Sequence, residues 1–312
     1  MIRRKVFINA GLGNQLFQYS YAHLGPLDSQ LEIQISVDSQ PREDRPFELN
    51  PLLEHCSHQQ GPLKKTSGPV SLNRLRKVIF RLFPNFLAVR LANTFTPNFE
   101  VTQFNANKNN IGKSGLIVGY FQHWSLVENA WSSFGPEIQS LINGTASNSV
   151  VISRLVEESK PLVVVHVRRG DLVNLTNTMG VLDYLYYETA VQQIPLARTA
   201  FNLIVVTDDV TGAQPITNLL MPDHILGPSK MSPLETLSLM AISDFVISAN
   251  STLSWWGGYL AIKRGASAFI PYPWFKNWTP EVGTAFNFPG FKILPASFIT
   301  PGKFQSDFSL ES

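Results

Sequence analysis

Cysteine is almost missing from this chain: Cys56 is the only one among 312 residues. No intrachain disulfide can form, and a cysteine-built zinc site is excluded. Long apolar runs are missing too. None approaches the roughly 18 consecutive apolar residues of a membrane span. After Arg3, Arg4 and Lys5 the apolar stretch is only Val6-Phe7-Ile8, too short for a signal peptide. The expected location is therefore cytoplasmic. The sequons at Asn143, Asn174, Asn250 and Asn277 then read as chance matches to a short pattern. Charged residues make up 15% of the chain and the formal net charge is +2, so nothing points to nucleic acid. No Asp-x-Asp occurs, and no His/Cys cluster has metal-ligand spacing. The expectation is no metal and no other cofactor.

Hydrophobic residues, at 44%, are enough for two α/β domains, each with its own core. The first half opens with an apolar run at 6–10, a glycine loop, and a helical segment at 16–24. Strands are expected at 32–37 and 116–120, and a helix at 124–142. Residues 41–69 read as loop. Residues 72–91 are basic and partly amphipathic. They read as a surface helix, with peripheral contact at the inner membrane surface as the sharper alternative. A polar linker is expected at 143–149. The boundary is placed to give an N-terminal domain of 1–155 and a C-terminal domain of 156–312. The second half alternates more clearly. Buried strands are expected at 162–167, 201–207, 245–248 and 266–271, with helices at 184–194, 213–220, 233–243 and 253–264. Such alternation predicts a parallel, helix-flanked sheet, and ligands bind beyond the carboxyl ends of its strands.

The chemistry-bearing residues fall at those ends. His166-Val167-Arg168-Arg169-Gly170-Asp171 closes the strand at 162–167. Guanidinium groups match phosphate oxygens two bonds at a time, and a leaving nucleoside diphosphate needs such neutralisation where no metal is present. A salt-bridge cluster with Asp171 is the competing explanation. Asp208-Asp209 closes the next strand. A carboxylate there could accept the N1–H and 2-amino group of guanine, and one of the pair is expected to be a helix cap instead. Asn250-Ser251-Thr252 opens a helix after the strand at 245–248, an arrangement suited to an anion. Gly11-Leu12-Gly13-Asn14-Gln15 resembles the start of a dinucleotide-binding loop, but Leu16 stands where its third glycine belongs. A nicotinamide-dependent oxidoreductase is disfavoured. Backbone approach to a ligand still fits.

Taken together the segments resemble glycosyltransferase family 11, the α-1,2-fucosyltransferases. The resemblance is carried by Gly11-Leu12-Gly13-Asn14-Gln15-Leu16-Phe17-Gln18-Tyr19, by Gly119-Tyr120-Phe121-Gln122, and by His166 to Asp171. Thr207-Asp208-Asp209 and the stretch from Ser243 through Asn250-Ser251-Thr252-Leu253-Ser254 to Trp255-Trp256 complete it. Ser251-Thr252-Leu253-Ser254 departs from the Ser-Phe-Ser that members often carry. The resemblance implies an α/β, GT-B-like fold, two Rossmann-like domains facing a cleft, with GDP-fucose on the C-terminal one. It implies that Arg168 or Arg169 holds the β-phosphate, that His166 and Asp208 or Asp209 contact guanosine, and that Ser251 and Thr252, beside Asn250, contact phosphate. Gly11, Gly13, Asn14 and Gln15 would face the cleft from the other side.

The reaction this implies is inverting, metal-independent transfer of L-fucose to the 2-hydroxyl of a galactose-terminated glycan, in glycoconjugate or polysaccharide synthesis. Arg168 and Arg169 would stabilise the diphosphate, and Asp171 would either take the acceptor proton or orient the arginines. Two readings stay open beside it. One is fucosyl transfer in another linkage or to another acceptor, and the other is a non-catalytic nucleotide-sugar-binding protein.

Overall fold

A computed structural model describes residues 3–8, 10–24, 30–35, 49, 100–102, 115–170, 172, 176–277 and 284–299. The chain divides into two compact units, Met1–Leu141 and Ile142–Ser312. The expected α/β class with two Rossmann-like sheets, the GT-B kind of architecture, is the one observed.

In the first unit the described strands are β1 (Arg3–Ile8), β2 (Gln30–Ile35), β3 (Glu100–Thr102) and β4 (Gly115–Gly119). They form a parallel sheet in the order β2-β1-β4-β3. Helix α1 (Leu12–Ala22) follows β1 and buries Leu16, Phe17, Tyr19 and Tyr21. It begins at Leu12, earlier than the apolar pattern suggests, because Gly11 serves as its N-cap residue. Helix α2 (Trp124–Asn148) runs straight through the expected linker. Ile142 and Ala146 are buried there, so packing overrides the polar composition of 143–149. Ser149 then caps α3 (Val150–Glu157), and its hydroxyl donates to Glu235 Oε1 at 2.8 Å. That bond lies within the second unit and joins the start of α3 to the helix at Pro233–Ile242.

The second unit carries β5 (Leu162–Val167), β6 (Asn202–Thr207), β7 (His224–Leu226), β8 (Phe245–Ile247), β9 (Ser267–Tyr272) and β10 (Lys292–Pro295). All pair in parallel, in the order β10-β9-β8-β5-β6-β7. Helices α4 (Tyr184–Gln192), α5 (Val210–Leu220), α6 (Pro233–Ile242) and α7 (Thr252–Lys263) connect them. Every residue of β5 and β6 is buried, as a β-branched run sandwiched between helices requires. Val163, Val165 and Val167 pack with Tyr186, Tyr187 and Ala190 of α4 and Ala213 and Ile216 of α5. Each such side chain contributes about 1.5–3 kcal/mol relative to exposure.

Trp255, Trp256 and Tyr259 of α7 are fully buried. The neighbouring glycines let α7 come close. A Cβ on Gly258 would lie 3.1 Å from Ala268 Cβ of β9, and one on Gly257 would lie 2.6 Å from Met240 Cβ of α6. The capping box expected at α6 is present, with Ser232 N–H donating to Glu235 Oε2 at 2.9 Å. Three short elements, β3, β7 and β10, carry too few residues for a period and are unmarked in the sequence.

Candidate functional site

The second sheet reverses direction between β5 and β8. Later strands add outward on the β8 side, and β6 and β7 on the other. A crevice at such a switch point is where parallel α/β sheets bind ligands. Val165 of β5 pairs with Ile247 of β8, so the residues just beyond both strands flank it. They are Arg168 on one side and Asn250, Ser251 and Thr252 on the other.

Arg168 and Arg169 do different things. The Arg168 side chain is partly exposed, and its Nε lies 3.0 Å from Asp208 Oδ2. Arg169 is 1% exposed. Its Nε donates to Gly212 O at 3.2 Å and its Nη1 to Arg168 O at 3.1 Å, while its backbone N–H donates to Asp208 Oδ1 at 2.8 Å. Burial lowers the Arg169 pKa, and Tyr187 and Asp208 nearby oppose the shift. Tyr187 is itself buried, which pushes its hydroxyl up to about 12. Arg169 thus holds the strand exit together from inside, a correction to its expected place beside Arg168 on the ligand.

Asp208 is committed as well. One oxygen takes the Arg169 N–H and the other the Arg168 guanidinium, so the carboxylate braces the arginine loop rather than offering itself to a base. This is the salt-bridge explanation, with Asp208 in the place expected for Asp171. Gly170 leaves room there, since a Cβ would run into Asp208 Oδ2. Asp209 is the helix cap: its Oδ1 accepts from Gly212 N at 3.0 Å at the start of α5. Asp171 lies outside the described residues, as do Cys56 and the basic segment 72–91.

Asn250 is 5% exposed, and its Nδ2 donates to Met179 O at 3.2 Å and Gly180 O at 3.0 Å. It clamps the loop before α4 instead of reaching outward as expected. Ser251 and Thr252 are partly exposed. Ser251 occupies the N-cap position of α7 without a side-chain cap bond, as Gly11 does at α1 and Asp183 at α4, whereas α3, α5 and α6 are capped by Ser149, Asp209 and Ser232. The first N–H groups of α7 are therefore left to a ligand or water. His166 is buried, and its Nδ1 has no hydrogen-bond partner among the described residues. Burial, then the Arg168 charge, lowers its pKa to about 3, so it is neutral.

The described strands of the first sheet reverse between β1 and β4. Gly11 and Asn14 follow β1, and Phe121 and Gln122 follow β4. Gly13 and Gln15 are buried within α1. Gln15 Nε2 donates to Ala10 O at 2.7 Å, so this side chain faces inward rather than outward as expected. Asn14 is partly exposed, and its Oδ1 accepts from Gln122 Nε2 at 2.7 Å.

Residues 92–277 match the pattern of glycosyl transferase family 11. The chain belongs to that family. This glycosyltransferase is similar to the O-antigen biosynthesis glycosyltransferase WbnK of Escherichia coli, at 26% identity over 287 residues, covering 86% of this chain and 93% of the relative. It is also similar to an alpha-1,2-colitosyltransferase of Escherichia coli, at 23% identity, covering 86% and 90% of the two chains. A glycosyl transferase family 9 structure from Veillonella parvula DSM 2008 shares the fold, with a TM-score of 0.51 at 10% identity, covering 99% of this chain and 92% of that one.

For this family 11 glycosyltransferase the structure brings Arg168, Ser251 and Thr252 to one switch point and Asn14 to the other. Two residues escaped the sequence argument. Gln122 lies in the Gly119-Tyr120-Phe121-Gln122 motif, so it was visible, but its pairing with a residue 108 positions away was not. Tyr187 carries no local signal at all.

Proposed function

We propose that this enzyme transfers L-fucose from GDP-β-L-fucose to the 2-hydroxyl of a β-galactoside, with inversion and without a metal ion. The observation that carries the donor half is the pairing, across the β5/β8 switch point, of Arg168 with the uncapped N-terminus of α7. A guanidinium and free N–H groups receive a diphosphate as its charge grows. The similarity to an O-antigen glycosyltransferase and an alpha-1,2-colitosyltransferase supports the linkage and a role in surface polysaccharide synthesis.

The acceptor oxygen attacks the anomeric carbon, the carbon–oxygen bond to the β-phosphate breaks, and GDP leaves with the electron pair. β-L-fucose becomes α-L-fucose, and the acceptor proton passes to a carboxylate, for which Asp171 is the candidate. Arg168 contacts the diphosphate, Ser251 and Thr252 add hydroxyls, and Arg169 with Asp208 sets the position of Arg168. His166, neutral and lacking a partner at Nδ1 among the described residues, is suited to a hydrogen bond from or to the nucleoside. The acceptor binds the first unit.

The test is GDP release from GDP-fucose with and without lactose, in EDTA, with the linkage of the product read by NMR. Lactose-dependent release yielding an α-1,2 product is expected. Loss of activity in EDTA with rescue by manganese would refute the metal-free mechanism. A second arm replaces GDP-fucose with GDP-colitose, because one relative is named for that sugar. Preference for colitose would change the donor and leave the geometry of the proposal intact.

A further inference from the structure

Three observations converge at the switch point of the first sheet. Two non-glycine residues there adopt the left-handed conformation, Ala10 (φ 67°) just beyond β1 and Phe121 (φ 52°) just beyond β4. Such backbone persists only where its surroundings enforce it, and it clusters at binding sites. Both are enforced here. The Ala10 carbonyl takes a hydrogen bond from the buried Gln15 amide, and the Phe121 ring stacks on Tyr21 with centroids 3.9 Å apart and planes 7° apart. The third observation is the bond across the switch point, Gln122 Nε2 to Asn14 Oδ1. Gln122 is 8% exposed, whereas Asn14 is only partly buried.

That bond uses the carbonyl end of the Asn14 carboxamide and leaves the Nδ2 end, with its two N–H groups, turned the other way. We infer that Asn14 Nδ2 donates to a hydroxyl of the acceptor sugar, and that Gln122 is the positioning residue that fixes which end of the Asn14 amide the sugar meets. The site suits a neutral polyol. The side chains named here, Asn14, Phe121 and Gln122, carry no carboxylate or guanidinium, in contrast to the arginine-bearing switch point of the second unit. A hydroxyl accepts well from a neutral amide. The inference rests on the galactoside reading above, and it adds to it a named pair and a polarity.

Two substitutions in the full-length enzyme reverse that polarity without changing side-chain size. Asn14→Asp keeps the oxygen that Gln122 bonds and turns a second oxygen outward. Gln122→Glu removes the donor, so the Asn14 amide flips to give Nδ2 to Glu and presents its oxygen outward. Steady-state kinetics with lactose and GDP-fucose read the effect. The lactose KM is expected to rise about tenfold or more in each variant, with kcat and the GDP-fucose KM within about twofold.

An unchanged lactose KM in Asn14→Asp overturns the inference, and so does an equal rise in both KM values. Asn14 is partly exposed, so Asn14→Asp carries the test alone if the buried Gln122→Glu fails to fold. A wild-type enzyme that hydrolyses or binds GDP-fucose but fucosylates no galactoside is a separate result. It sinks the galactoside reading and this inference with it.

Discussion

At the switch point of the second sheet stand a guanidinium and the free N–H groups of a helix. At that of the first stand two carboxamides and two left-handed backbone turns. Both sheets are parallel, and both put their special residues just past neighbouring strands. Both have a switch point, so the difference lies in the groups that each exit presents. A charged exit serves an anion whose charge grows during reaction, where electrostatic stabilisation acts on the rate. An amide exit serves a hydroxyl whose charge changes little on binding, so its contribution falls mainly on affinity. Variants of the second unit should therefore depress kcat, and variants of the first should raise the acceptor KM.

The sharpest break in that comparison is Arg168→Ala. Removal of one donor to a developing oxyanion typically costs about two to three orders of magnitude in kcat. The expected loss is of that order, seen in single-turnover fucosyl transfer and with the folded state unchanged. A loss confined to lactose KM would erase the distinction between the two exits.

Within the second unit the same comparison separates two adjacent arginines. Arg169→Met removes a buried guanidinium bonded to Gly212 O and Arg168 O. Those carbonyls are then left without their donors, and hydrogen bonds to charged groups are worth about 1.5–3 kcal/mol. A stability loss of about 2–3 kcal/mol is expected in denaturant unfolding, with kcat falling only as far as Arg168 is displaced. A stable Arg169→Met protein with Arg168→Ala kinetics would return Arg169 to the ligand.

His166 supplies a pH test of the same exit. Its folded pKa, about 3, lies below the unfolded value of about 6.5, so the unfolded chain binds the extra proton first. Stability from this group is full above pH 6.5 and is lost as pH falls toward 3. Between pH 6.5 and 5 the loss is about 2 kcal/mol. His166→Gln should remove that portion, so the stability gap between wild type and variant should narrow as the pH drops. A constant gap would mean that the imidazole is not held neutral.

The strands and helices of the second unit were legible because their signals are local. A β-branched run reads as a buried strand at 162–167, and Ser232, Pro233 and Glu235 announce α6 within four residues. The helix start at Ser251 and Thr252 was legible for the same reason. What could not be read is the partner of each polar side chain. Arg168 and Arg169 are equivalent as letters. Both stand just past the end of β5, and only the packing of Tyr187 and Gly212 decides which one is inside. Asp208 and Asn250 were misplaced likewise, since a loop 70 residues from Asn250 claims its amide. The helix across 143–149 was hidden because Ile142 and Ala146 find their burial from elsewhere in the chain.

The smallest effect tests the two aspartates. Asp209 and Asp208 are neighbours at the end of β6, yet Asp209 caps α5 through Gly212 N whereas Asp208 braces both arginines. Loss of an N-cap side chain costs about 1 kcal/mol. Asp209→Ala should therefore lower unfolding stability by about that much and leave kcat within about twofold, because α5 stays folded and Arg168 keeps its partner. Asp209→Asn, which can still accept from Gly212 N, should recover most of the lost stability. If Asp209→Ala instead cut turnover tenfold with stability intact, the cap assignment would fail and Asp209 would belong with the donor, on the charged exit.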